Sequence, residues 1–163
     1  MSTKIHCPQL KEIRDRLELL LARPTAVKPN ATPNKFAESC ITSRYVTRDD
    51  RIAALCQVDL ELAAYLGAAL ALIPAGAAQD AAKEGDLGAN LTGAFCEVVN
   101  ILAGGLCVDG APHVRWVDIA KGLATVPADA KAVLAKPCER IDVLVEIDGY
   151  GAGKLTILTA KIA

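Results

Sequence analysis

The chain has 163 residues, of which 52% are hydrophobic and 23% charged, and its formal net charge is −1. This length and composition allow a buried core and exclude disorder over most of the chain. Acidic and basic residues are mixed along the sequence. We therefore expect neither a nucleic-acid-binding nor a membrane-binding surface, since both need clustered Lys and Arg.

The cysteine pattern predicts reduced thiols in a cytoplasmic protein. The six cysteines form no CxxC pair, and the first residues, "MSTKIHCPQLKEIRD", contain no apolar leader. Several of these cysteines are expected to be buried as small hydrophobic side chains. The two histidines, His6 and His113, are far apart in sequence, so no metal site is predicted.

The first predicted element is a helix in "PQLKEIRDRLELLLAR". Pro8 stands near its start and Pro24 just beyond its end, as is typical of helix boundaries. Its apolar positions follow a 3.6-residue period: Leu10, Ile13, Leu17, Leu20 and Leu21. The next segment, 24–39, contains three prolines and little periodicity, which predicts a loop or an edge strand.

The middle of the chain predicts a strand pair followed by two helices. "SRYVTRDDRIAALCQVD" indicates two strands with a charged turn at residues 47–50. The Ala/Leu-rich segment 60–73 is predicted to be helical. The uncharged stretch 62–78 is short for a membrane span and is broken by Pro74, so a helix packed in a soluble core is the better interpretation. Residues 75–88 are expected to link this helix to a second long helix at 87–107.

The remainder of the chain is predicted to be strand. The four candidate segments are "PHVRWVDIA", "KAVLAKP", "RIDVLVEID" and "GKLTILTAKIA". The last two alternate well on either side of "DGYGAG", which is typical of a hairpin turn. The whole chain, 1–163, is thus predicted to be a single α+β domain, with a mostly antiparallel sheet packed with two long helices.

The stretch "AFCEVVNILAGGLC", residues 94–107, is apolar except for two strongly polar residues, Glu97 and Asn100. On a helix, these two residues and the glycines Gly93 and Gly104 lie within roughly 60° of one another. The large apolar residues occupy the opposite face. Because each exposed helical glycine costs about 1 kcal/mol relative to alanine, one interpretation of this stripe is a surface that another backbone approaches closely. From spacing alone, the favoured interpretation is a solvated helix face.

This motif resembles the active helix of the CheC/CheX/FliY phosphatases of bacterial chemotaxis. The family pattern is Glu, two residues, Asn, then a small or apolar run containing Gly, and "EVVNILAG" is similar to it. The resemblance extends over roughly residues 50–163, through "RIAALCQVDLELAAYLGAALALIP" and the closing hairpin. There are two departures. Gly93 stands where the family usually has Asp or Ser, and a proline expected about two dozen residues after the Asn is displaced to Pro127.

The resemblance implies a function for each residue of the motif. The family hydrolyses the aspartyl phosphate of a CheY-like response regulator. Asn100 would orient the attacking water, and Glu97 would form a salt bridge with the regulator's active-site lysine. Gly93 and Gly104 would let the helix lie close to the partner. No cofactor is expected in this chain, because the Mg²⁺ would belong to the regulator.

A faint internal repeat bears on the number of active sites. "LKEIRDRLELLLARP" superposes on "FCEVVNILAGGLCVD", with Glu12 on Glu97 and Asp15 on Asn100. Since Asp15 replaces the Asn, the first copy is expected to be inactive. A family member with a single active site resembles CheX, and this resemblance implies a homodimer. The competing hypothesis is a non-catalytic adaptor of the same fold, which binds a response regulator or a flagellar-switch component without hydrolysing phosphate.

Overall fold

The computed structural model describes residues 4–162; Met1–Thr3 and Ala163, although part of the predicted 1–163 domain, lie outside it. Five helices and six strands form in this range. The helices are α1 (Leu10–Leu21), α2 (Leu60–Ala71), α3 (Ala75–Glu84), α4 (Gly88–Leu102) and α5 (Ala128–Ala135). The strands are β1 (Thr25–Pro29), β2 (Ile41–Thr47), β3 (Ile52–Val58), β4 (Val114–Lys121), β5 (Glu139–Ile147) and β6 (Gly151–Thr159). Two short 3₁₀ helices, Ala103–Leu106 and Leu123–Thr125, complete the secondary structure of the described residues.

The six strands form one sheet in the order β1-β5-β6-β3-β2-β4, and every neighbouring pair is antiparallel. The hairpins β2–β3 and β5–β6 lie side by side through the β3–β6 pairing. β1 and β4 are the edge strands. The α+β class and the antiparallel sheet predicted from the sequence are confirmed.

Alternating side chains divide the interior into two cores, as the two-residue period of a strand requires. On one face of the sheet, Cys56, Val145 and Leu155 pack with α1, α2 and α4 in the larger core. On the other face, Leu55 and Leu158 pack with Ala130 and Val133 of α5 in a smaller one. The candidate functional helix therefore belongs to the larger layer.

Asn34 fixes the 30–40 loop to the second face of the sheet. It is buried, and its side-chain amide donates to the carbonyls of Val143 and Leu155 and to the Thr156 hydroxyl, at 3.0–3.2 Å. The Asn34 backbone N–H donates to Asp142. The segment 24–39, predicted to be a loop or an edge strand, contains the edge strand β1 and the loop that Asn34 anchors.

Most of the predicted elements form, and two assignments are wrong. The predicted linker at 75–88 contains α3, and the predicted strand "KAVLAKP" lies largely in α5. In α3 only Ala78 and Ala81 are buried, so no stripe of large apolar residues marks the helix. Its signals are high alanine content, Pro74 before the first turn and Gly85 in the left-handed conformation after the last. α5 has eight residues, a length at which apolar periodicity does not separate helix from strand.

α4 forms where one long helix was predicted, but its end is tighter than expected. The α-helix ends at Leu102 and continues as the 3₁₀ helix to Leu106. Together, Gly88–Leu106 are long and apolar enough to cross a membrane by length and composition alone. In the fold, Leu91, Phe95 and Val99 are buried in the larger core, and this packing accounts for the apolar character of the helix.

Gly67 determines how closely α2 and α4 pack. A Cβ added at Gly67 would lie 2.7 Å from the Leu91 carbonyl oxygen and 3.2 Å from the Phe95 nitrogen, both backbone atoms. We expect Gly67→Ala to destabilise the fold, since forced overpacking costs about 1–3 kcal/mol and outweighs the gain of up to about 1 kcal/mol in helix propensity. Urea unfolding measures the change. Gly76→Ala in α3 is the control: its Cβ would meet nothing within 4 Å, so stability should hold or rise. Equal effects of the two changes would contradict this account.

All six cysteines are free thiols, and they differ in burial. Burial raises the pKa of Cys7 to about 11 and that of Cys56 to about 12. Burial also raises the pKa of Cys40 to about 11, although a hydrogen bond with Thr42 acts against it. Cys138, in contrast, is exposed.

We expect iodoacetamide at pH 8 to label native Cys138 first and to leave Cys7, Cys40 and Cys56 unlabelled until the protein unfolds, because the thiolate is the reacting form. Peptide mass mapping over a time course measures the order. Unfolded protein, in which all six should react at similar rates, is the control. Rapid native labelling of Cys56, or a bridge that resists alkylation until reduction, would contradict the prediction.

Candidate functional site

The predicted motif lies on the outer face of α4. Gly93, Glu97, Asn100 and Gly104 are all exposed, whereas the residues on the opposite side of the helix are buried. The buried set is Leu91, Phe95, Val98, Val99, Leu102 and Leu106. The structure therefore places the four predicted site residues on one face, as the helical periodicity predicted.

Glu97 and Asn100 are both available to a partner. Within residues 4–162, neither side chain makes a hydrogen bond or an ion pair. A carboxylate and a carboxamide held side by side on a rigid helix, one turn apart, can together present acceptors and a donor to an incoming surface. The arrangement is chemically suited to docking and to orienting a water molecule.

Tyr45 fixes the helix next to Asn100 from inside the protein. The Tyr45 hydroxyl, which is fully buried, donates to the Val99 carbonyl oxygen at 2.6 Å. Burial raises the pKa of Tyr45 well above its usual value, which keeps the hydroxyl a donor. The Ala103 N–H, which would reach Val99 in an α-helix, is directed to the carbonyls of Asn100 and Ile101. The tyrosine bond thus coincides with the change from α to 3₁₀ geometry.

The two glycines of the predicted stripe have different surroundings. At Gly93, a Cβ would meet nothing within 4 Å, so this position is open to an approaching molecule. At Gly104, a Cβ would lie 2.8 Å from Nη1 of Arg16, which extends from α1. The space beside Gly104 is therefore filled by this chain's own arginine. Sequence reasoning missed Arg16, because only the fold brings residues 16 and 104 together.

The repeat residues of α1 are engaged within the chain. Glu12 accepts from the Gln9 N–H at 3.1 Å and pairs with His6 at 2.8 Å. Burial acts to raise the pKa of Glu12, but His6 and Gln9 outweigh it and lower the value. Asp15 pairs with Lys11 and Arg14, which lower its pKa. Glu97 and Asn100, in contrast, make no hydrogen bond or ion pair within residues 4–162.

The cavity and the reactive thiol described next involve residues other than Glu97 and Asn100. A cavity of about 420 Å³ is lined by the segment before α1, the loop 108–111 and Glu139, without Glu97 or Asn100. Cys107 lies 3.7 Å from His113 Nδ1, a pairing that the sequence analysis missed because six residues separate the two. The Cys107 thiol also lies 3.3 Å from the Val114 carbonyl, to which it donates. Within 4–162, no cluster of three or more His, Cys, Asp or Glu residues is arranged to hold a metal ion.

Solved structures with this architecture include chemotaxis and flagellar proteins. A chain of the FliM–SpeE complex from H. pylori has a TM-score of 0.56 at 9% identity, over 93% of this chain and 81% of that chain. The CheX–CheY–BeF₃–Mg²⁺ complex from Borrelia burgdorferi contains a chain with a TM-score of 0.51 at 13% identity, with 93% and 94% covered. FliY from Thermotoga maritima gives 0.51 at 12% identity, with 94% and 85% covered. No family model and no curated protein matches this sequence.

This chain has the CheC/CheX/FliY fold. The resemblance inferred from "EVVNILAG" and the flanking segments is confirmed at the level of fold. The similarity covers more than nine tenths of the chain. CheX-type and FliM-type proteins share this fold, so the fold by itself does not choose between them.

Tyr45→Phe should loosen the end of α4 without changing its surface residues. The Val99 carbonyl would remain buried without its hydroxyl donor, which costs about 1–3 kcal/mol. Denaturant unfolding measures this loss, and amide hydrogen exchange at residues 103–106 should become faster. Tyr65→Phe is the matched control, since in the described structure the Tyr65 hydroxyl makes no hydrogen bond. Equal stability of the two variants would show that the bond does not hold the helix end.

Proposed function

We propose that this protein hydrolyses the aspartyl phosphate of a CheY-like response regulator, using Asn100 and Glu97 on α4. The observation that carries the proposal is the state of these two side chains. Both are exposed, one turn apart, and without an internal partner in residues 4–162. A carboxamide that was buried or bonded within the chain would argue against a catalytic role, and Asn100 is neither.

The chemistry requires positioning rather than a nucleophile from this chain. Water attacks phosphorus, the bond from phosphorus to the aspartyl oxygen breaks, and the products are the aspartate carboxylate and inorganic phosphate. An acyl phosphate is already labile, so fixing one water in line lowers the entropic part of the barrier. Asn100 inserts beside the phosphoryl group and orients that water. Glu97 docks the helix by pairing with a lysine of the regulator.

The same proposal covers the metal ion, the docking face and the assembly of the protein. The Mg²⁺ needed for the reaction belongs to the regulator, and this chain holds no cofactor. Gly93 leaves open space on the docking face, so the partner's backbone can come close there. With one available motif, the protein is of the CheX type and functions in the cytoplasm as a homodimer. The B. burgdorferi structure of this fold, a complex of CheX with CheY, supports a partner of this kind.

The alternative function is binding without hydrolysis. The structural similarity to chains in FliM complexes supports it, because FliM is found with FliG and with SpeE in solved structures of this fold. In that case the α4 face would dock a response regulator or a flagellar-switch component. Asn100 would then affect affinity alone. The two hypotheses therefore differ in what removal of the Asn100 carboxamide changes.

Asn100→Ala should abolish accelerated dephosphorylation while binding to the regulator stays largely intact. Glu97→Ala should weaken both, since one-sided truncation of an interfacial charge pair costs about 2–5 kcal/mol. The CheY-type receiver domains of the source organism, phosphorylated with acetyl phosphate and Mg²⁺, provide the substrates. The lifetime of the phosphoryl group measures hydrolysis, and titration of the BeF₃⁻-loaded receiver measures binding.

Gln79→Ala is the matched control, because Gln79 carries an exposed carboxamide on α3, a different helix. It should leave both measurements unchanged. Neither site variant should lose more than about 0.5 kcal/mol of stability, as is usual for surface substitutions. Wild-type protein that binds a phosphorylated receiver without shortening its lifetime would establish the adaptor and overturn the phosphatase.

A further inference from the structure

The Arg16 guanidinium lies against the glycine pair that follows the motif. Its Nη1 is 2.8 Å from the position of a Cβ at Gly104, and its Nε is 3.2 Å from a Cβ at Gly105. Neither glycine has a positive φ, so backbone conformation does not explain the pair. Because these two residues have no Cβ, they leave a space that the Arg16 guanidinium occupies, and a Cβ at position 104 would reduce that space. The glycine pair thus places a cation from α1 at the end of α4.

This cation has no bonded anion in the described chain. Within residues 4–162, Arg16 makes neither a hydrogen bond nor an ion pair. Arg44, in contrast, is paired with Asp118 and Asp129. Glu12, one turn before Arg16, bonds His6 and the Gln9 N–H, and Arg16 acts on it only through space. A half-buried guanidinium with unused N–H donors is pre-organised to bind an oxyanion in two-point geometry.

The polar groups along the outer face of α4 lie in a line. Gly104 follows Glu97 by seven residues, which is about 10 Å along a helix, and Asn100 lies between them. The docking face therefore presents a carboxylate, a carboxamide and a guanidinium in that order. A complementary surface has a cation opposite Glu97 and an oxyanion opposite Arg16. The phosphorylated site of the proposed partner provides both, since it carries a lysine and an aspartyl phosphate.

We propose that Arg16 is a binding residue of the α4 docking surface, which pairs with an oxyanion at the phosphorylated site of the receiver domain. The inference rests on the proposed function and adds a contribution from α1 to a site otherwise built on α4. The oxyanion is either the phosphoryl group or a neighbouring carboxylate. Comparison of BeF₃⁻-loaded and unloaded receiver domains separates these two sources.

The test measures affinity and steady-state hydrolysis for Arg16→Ala, Arg16→Lys and a matched control, Arg14→Ala. Arg14 is on the same helix and is paired with Asp15. We expect Arg16→Ala to weaken binding of the BeF₃⁻-loaded receiver by about 10- to 100-fold, the range for a charge-assisted hydrogen bond, with a raised KM and little change in kcat. Arg16→Lys should restore part of the affinity, and Arg14→Ala should bind as the wild type does.

The remaining measurements identify the oxyanion that Arg16 binds and show which results would overturn the proposal. A similar loss with the unloaded receiver assigns the contact to a carboxylate, and a loss only with the loaded form assigns it to the phosphoryl group. Gly104→Ala keeps the arginine but displaces its guanidinium, so it should lower affinity in a protein that melts normally. Unchanged affinity in Arg16→Ala, or an equal loss of affinity in Arg14→Ala, overturns the role of Arg16. In either case, accelerated dephosphorylation by the wild-type protein still upholds the proposed function. Wild-type protein that binds no receiver domain overturns both.

Discussion

The position of the candidate site depends on the close packing of α2 against α4. At Gly67 the two helices approach until the Leu91 carbonyl and the Phe95 nitrogen occupy the space of a side chain. Because backbone atoms cannot rotate away as side chains can, this contact fixes the distance between the helices and, through Leu91 and Phe95, the rotation of α4. The buried face of α4 follows from that rotation, and the outward direction of Glu97 and Asn100 follows from the buried face. A glycine on a different helix thus determines which residues of α4 meet the solvent.

The second constraint acts at the other end of α4. Tyr45, on strand β2, donates a hydrogen bond to the carbonyl of Val99, the residue before Asn100. The helix then continues as 3₁₀, with a rise of about 2.0 Å per residue in place of 1.5 Å. This change places Gly104 and Gly105 where Arg16 of α1 reaches them. The end of α4 is consequently held from the sheet on its inner side and contacted from α1 on its outer side.

The two copies of the weak sequence repeat differ in what their polar residues contact. Glu12 and Asp15 form bonds within the N-terminal region, and pairing a charge in this way leaves it unavailable to a partner. Glu97 and Asn100 have no such bonds in the described part of the chain. This asymmetry supports the proposed single docking face, to which α1 would contribute Arg16 rather than a second pair of polar side chains.

The sequence by itself determined the class of the fold, most of its elements and the exposed position of the polar pair. Those features depend on local periodicity: α1, α4 and the β5–β6 hairpin repeat apolar residues at intervals that each element imposes. The sequence did not predict α3, because its alanines bury too little surface to produce a stripe of large apolar residues. It did not predict α5 either, because eight residues are too few to show a helical period. The surroundings of Gly104 were decided only by the tertiary structure. Arg16 is 88 residues away in the chain, and the pattern "AGGLC" contains no information about which distant side chain will fill the space that its glycines leave.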